Sequence, residues 1–129
     1  PFDLRFAVGA TSVRLVHGSP RKVNEYLFED KPASLYERLA EQVGADVLVF
    51  GHTHRPWIRR HGGVLFVNCG SVGKPKDGDP RAAFAILEDD GGRFAARIER
   101  VPYDAAAVAR EIAVVGLPVE FAEGLVVAG

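Results

Sequence analysis

The chain has no methionine, one cysteine (Cys69) and one tryptophan (Trp57). A lone cysteine excludes an internal disulfide framework and fits a reducing, cytoplasmic setting. A surplus of either charge is also missing: sixteen basic residues stand against seventeen acidic ones, a net charge of −1. No global field draws in nucleic acid or an anionic membrane, so any attraction for phosphate has to be local. Apolar runs stay far short of a membrane span, and no charged-then-apolar leader suggests export. The missing initiator at Pro1 fits either trimming of a methionine or a cut inside a longer protein.

What is present is a globular composition. Over 129 residues, 47% are hydrophobic and 26% charged, which suits one soluble domain and is too short for two. Phe2, Leu4, Phe6 and Val8 alternate with polar or small residues, and Val13 to Val16 reads as a returning strand that runs into His17-Gly18-Ser19-Pro20. Residues 21–32 suggest an irregular or short helical excursion. Ser34 and Glu37 form a capping-box pattern, with Leu35, Leu39 and Val43 on one helical face and Gly44 as the stop. Asp46 to Phe50 reads as a short strand buried on both sides, delivering Gly51-His52-Thr53-His54-Arg55-Pro56. Trp57–Arg60 and Val64–Val67 suggest a hairpin around His61-Gly62-Gly63. Ala82–Leu87 and Phe94–Val101 suggest another around Asp89-Asp90-Gly91-Gly92. Asp104 is placed to cap a helix reaching about Val115, and a short helix is expected over 120–128.

The chemistry sits in the histidines. His52 and His54 flank one residue just after a buried strand, and on an extended backbone residues two apart face the same way. Imidazole suits zinc, iron, manganese or nickel. An isolated His-x-His is weak evidence, equally met in exposed polar pairs. Here the segment follows His17-Gly18 and precedes Asn68-Cys69-Gly70-Ser71, each at a strand end. In that order these motifs resemble the C-terminal half of the calcineurin-like metallophosphoesterase pattern: a lone His-Gly, then Gly-His-x-His, then Asn-Pro-Gly-Ser.

The resemblance implies an α/β fold, part of a two-layered β-sandwich flanked by helices, with residues 1–129 forming the C-terminal half of a single domain. It implies two divalent metal ions (manganese, iron, zinc or nickel) and metal ligands at His17, His52 and His54. His17 and His52 would go to one ion and His54 to the other. A phosphodiester or phosphomonoester would be hydrolysed with a bridging hydroxide. The family's Asp-x-His, Gly-Asp-x-x-Asp and Gly-Asn-His motifs are absent, so no catalytic acid is visible, and the chain alone is expected to be inactive. Its missing half would supply strands to the same core. Without it, Phe2-Leu4-Phe6 and Val47-Leu48-Val49 would be exposed and favour a homo-oligomer.

Cys69 stands where the family has proline and reads as a small buried residue before it reads as a metal contact. Arg21, Lys22 and Arg55 could hold phosphate, or equally form a solvated rim. Tyr26 and Phe28 could line a substrate pocket, though packing is the simpler role. His61 is expected to be solvated in its turn. The alternative function is a non-catalytic scaffold, like the phosphoesterase-like subunit of retromer. A zinc-stabilised structural domain is disfavoured, because structural zinc takes four closed ligands, commonly cysteines.

Overall fold

Two-residue turns set most of the strand pairing. In the computed structural model, which describes residues 2–129, Gly9 adopts φ +59° and turns β1 (Asp3–Val8) back onto β2 (Thr11–Val16). The register pairs Asp3 with Val16 and Val8 with Thr11. After an irregular stretch and helix α1 (Ala33–Val43), β3 (Val47–Phe50) runs parallel to β2. Strand β4 (Trp57–His61) turns at Gly62-Gly63, both with positive φ, into β5 (Val64–Asn68), which runs parallel to β3. The result is a five-stranded sheet ordered β1-β2-β3-β5-β4. A second, two-stranded sheet is the hairpin of β6 (Ala82–Asp90) and β7 (Arg93–Val101), closed by Gly91-Gly92 with both φ positive, as tight hairpins require. Helices α2 (Ala105–Val114) and α3 (Val119–Val127) follow.

The sheets and α1 make three layers around β3. Tyr36, Leu39, Ala40 and Val43 of α1 pack on Val16, Leu48, Phe50, Trp57 and Phe66. On the other face, Val13, Val47, Val49 and Val67 meet Ala85, Leu87, Phe94 and Ala96 of the β6–β7 hairpin. Every residue of β3 is buried, so its neighbours on both faces hold it. Fully burying one such side chain contributes roughly 1.5–3 kcal/mol.

This corrects one expectation. The face of Val47-Leu48-Val49 is not left open, because the hairpin and α1 cover it. Phe2, Leu4 and Phe6 are exposed, as expected; the hairpin reaches β1 at its far end, where Val8 joins the second cluster. The structure thus has two β layers with helices, the architecture the resemblance implied.

Three local readings also change. Helix α1 begins at Ala33 behind Pro32, which takes an extended ψ of 137°, and no side chain caps it. Ser34 therefore lies inside the first turn and the Ser34–Glu37 box does not form. The buried stripe runs through Tyr36 rather than Leu35, because Tyr36 points into the aromatic cluster of Trp57 and Phe66. His61 is not a solvated turn residue. It ends β4, stacks on Tyr36 at 4.8 Å between ring centroids, and its Nε2 is buried without a hydrogen-bond partner.

The C-terminus of α1 is held by side chains from the sheet. Arg14 donates to the carbonyls of Gln42 (2.9 Å) and Val43 (3.0 Å), and Arg5 donates to that of Gly44 (2.8 Å). These guanidinium groups satisfy carbonyls left open at the helix end and oppose its dipole. Asp104 caps α2 as its sequence position implied, accepting from the Ala107 amide at 2.8 Å. Among the described residues no helix is long and apolar enough to cross a membrane.

Candidate metal centre

Three strand ends converge beside the open space between the two sheets. His17 follows β2, His52 and His54 follow β3, and Asn68 ends β5. All three histidines line one cavity of about 350 Å³, together with Gly51, Cys69, Gly70, Ser71, Phe84 and neighbouring apolar side chains.

His52 and His54 reach it differently from the extended geometry expected. Both adopt left-handed backbone conformations, φ 66° and 58°. For non-glycine residues such conformations cost about 1–3 kcal/mol each and persist only where the surroundings hold them. The holding groups are visible. Asn68 is fully buried, and its amide nitrogen donates to the Thr53 hydroxyl (2.8 Å) and the Gly51 carbonyl (3.3 Å). Its Oδ1 accepts from the Gly70 amide at 3.0 Å. One amide side chain thus ties the histidine turn to the glycine loop. Sequence reasoning read Asn68 only as part of a motif; its tie to the histidine turn depends on the pairing of β5 with β3.

His17 Nε2 and His52 Nδ1 lie 3.0 Å apart, so one donates a hydrogen bond to the other. The same spacing is near that of two ligands of one ion: nitrogens about 2.1 Å from a metal are separated by about 3.0 Å at an octahedral right angle and about 3.4 Å at a tetrahedral angle. His54 points its Nδ1 at the Lys74 carbonyl, 2.7 Å away. A carbonyl only accepts, so the ring proton is held on Nδ1 and the Nε2 lone pair is left free, the usual outer support of a metal-binding imidazole. Burial pushes the His52 pKa below its ordinary value, helped by the nearby charges of His17, His54 and Lys76. No group of three or more His, Cys, Asp or Glu side chains among the described residues is placed to hold a single ion. Among the described residues, therefore, no complete ligand set for one ion is present.

The remaining candidates fall elsewhere. Arg21 forms an ion pair with Glu25, and Arg55 donates to the Lys76 carbonyl (2.7 Å) and lies over the Phe28 ring. Neither arginine lines the histidine cavity; Arg55 borders a separate one with Asp30 and Asp77. Tyr26 packs against His52 at 4.3 Å between ring centroids and stacks on Phe28. Cys69 lines the cavity, and burial raises its thiol pKa, which opposes thiolate chemistry there.

The calcineurin-like phosphoesterase superfamily domain matches residues 1–92. The chain belongs to this family. It is 34% identical over 102 residues to a probable metallophosphoesterase of Methanothermobacter thermautotrophicus, covering 78% of this chain and 53% of that protein. The crystal structure of a metallophosphoesterase from Sphaerobacter thermophilus matches with a TM-score of 0.84 at 27% identity, over 100% of this chain and 58% of that one. The hypothetical protein PH1004 from Pyrococcus horikoshii matches with a TM-score of 0.88 at 25% identity, over 100% of this chain and 51% of that one. The chain thus spans about half the length of these relatives. Its family is one of metal-dependent phosphoesterases, and the two-layered α/β architecture is the family's fold.

Proposed function

We propose that this chain contributes His17, His52 and His54 to a two-ion centre that hydrolyses a phosphodiester or phosphomonoester. The other ligands would come from a segment that these 129 residues do not contain, so residues 1–129 would be the C-terminal half of the catalytic domain. The observation that carries this reading is the 3.0 Å pairing of His17 Nε2 with His52 Nδ1 beside His54, whose Nδ1 is already committed to Lys74.

In this reading His17 and His52 hold one ion side by side, and His54 offers Nε2 to the second. When bound, the two divalent ions supply Lewis acidity and charge neutralisation for an in-line displacement at phosphorus. The depressed pKa of His52 keeps its ring neutral near pH 7, as ligation requires. The left-handed turn at His52 and His54 places both rings on one cavity, and Asn68 prevents that turn from relaxing. Arg21 and Arg55 are engaged with Glu25 and Lys76, which favours a rim role over direct phosphate binding. Three histidines kept together on one cavity favour the enzyme over a non-catalytic scaffold.

The test uses the intact protein and a model aryl phosphodiester. His54→Ala is expected to reduce hydrolysis by more than the about 10- to 100-fold typical of losing an outer-shell partner. Arg59→Ala, which removes an exposed side chain paired with Glu29, serves as the control. Equal losses in the two variants would sink the assignment.

A further inference from the structure

The family match ends at residue 92, yet the two structural relatives cover the whole chain, so the unit α2–α3 belongs to a fold that the matched domain does not account for. Helix α2 buries no residue, whereas α3 turns Ala122, Gly124 and Leu125 inward. Helix α3 meets the segment Lys74–Gly78. The Lys74 ammonium sits 5.0 Å from the centre of the Phe121 ring, and the Gly78 amide donates to the Ala128 carbonyl at 3.0 Å. Gly124 leaves room for the lysine stem: a Cβ there would lie 3.1 Å from Lys74 Cε.

That segment is the one that orients His54. The Lys74 carbonyl accepts a hydrogen bond from His54 Nδ1, and the Lys76 amide donates to the His54 carbonyl at 3.1 Å, with Pro75 fully buried between them. Its near end is fixed by the Ser71 hydroxyl, which accepts from the Lys74 amide at 2.9 Å. Gly73 and Gly78 flank it in open space, so the segment has little stiffness of its own. Its shape is set by what grips it.

We propose that α3 is a brace for the metal centre and that Phe121 is a positioning residue, acting on His54 through Lys74. This rests on the reading of His54 as a ligand. Phe121 is exposed over 47% of its surface, so its truncation leaves the core intact.

The test follows the His54 ring by nitrogen and proton NMR in the intact protein, comparing Phe121→Ala with Phe121→Tyr. In Phe121→Ala, water exchange of the His54 Nδ1 proton and the Lys76 amide is expected to quicken about two- to fivefold. That range corresponds to a cation–π contact of about 0.5–1 kcal/mol. Phe121→Tyr, which keeps the aromatic face, should retain the original exchange. Unchanged His54 and Lys76 exchange in Phe121→Ala would overturn the proposal, as would equal acceleration in Phe121→Tyr. A manganese titration of the same samples separates this from the reading beneath it. If manganese fails to broaden the His54 ring in the unsubstituted intact protein, the ligand assignment fails, while the exchange data still judge the brace.

Discussion

Asn68→Ala tests whether the histidine turn is held as described. Asn68 is fully buried and makes two firm hydrogen bonds, at 2.8 and 3.0 Å, and one longer bond at 3.3 Å. Truncation does not orphan all three partners. The Thr53 hydroxyl still pairs with the backbone of Arg55, and the Gly51 carbonyl still accepts from the Thr53 amide at 2.8 Å. The Gly70 amide has no second partner, and leaving it buried and unsatisfied costs about 1–3 kcal/mol. Lost packing of the side chain adds about 1 kcal/mol. The expected destabilisation is therefore about 2–4 kcal/mol, a large share of a typical domain's 5–15 kcal/mol. Urea unfolding measures it, as a lower midpoint with an unchanged slope.

Asn68→Asp separates hydrogen bonding from shape. It keeps the acceptor for Gly70 but turns a carboxylate oxygen toward the Gly51 carbonyl. Burial and the facing Gly51 carbonyl both disfavour the charged form and raise the carboxyl pKa, so this variant should be most stable below about pH 4 and lose stability as pH rises through and above that value. A loss under about 0.5 kcal/mol for Asn68→Ala would refute the claim that this side chain holds the turn.

Three further outcomes are expected. His61→Phe should be neutral or stabilising by up to about 1–3 kcal/mol in thermal or urea unfolding, because it keeps the stack on Tyr36 and removes a buried, unpaired Nε2. His52 is held below the ordinary imidazole pKa by burial and neighbouring charge, so below about pH 6.5 the unfolded chain binds more protons than the folded one. Stability should then fall as pH drops below that value, and His52→Gln should flatten the slope of melting temperature against pH. Phe2, Leu4 and Phe6 form an exposed apolar strip, so this chain alone should self-associate in light scattering, and Leu4→Lys with Phe6→Lys should return it to a monomer.

Turn chemistry and strand pattern were largely legible from residues. Gly62-Gly63 and Gly91-Gly92 close hairpins because they supply positive φ, and the unbroken apolar run 47–50 marks a strand covered on both faces. The position of the three histidines at strand ends was legible for the same reason. What failed depended on partners distant in sequence. Ser34–Glu37 satisfies the capping pattern, but Pro32 already provides the extended residue from which the helix starts. His61 looks solvated beside two glycines until Tyr36 is brought under it from α1. The left-handed backbone at His52 and His54 goes against residue preference, and it is held by Asn68 from another strand and by the segment at Lys74–Lys76. Similarly, nothing local to Val47–Val49 says that residues 85–96 return to cover it.

The most direct test of the central claim is metal stoichiometry in the intact protein, measured by elemental analysis after loading with manganese and removal of free ion. Two ions per chain are predicted for the unsubstituted protein. His17→Ala, acting on the paired position, and His54→Ala, acting on the single one, should each lower that number, with the double substitution lower than either. Unchanged stoichiometry in both single variants would contradict the account.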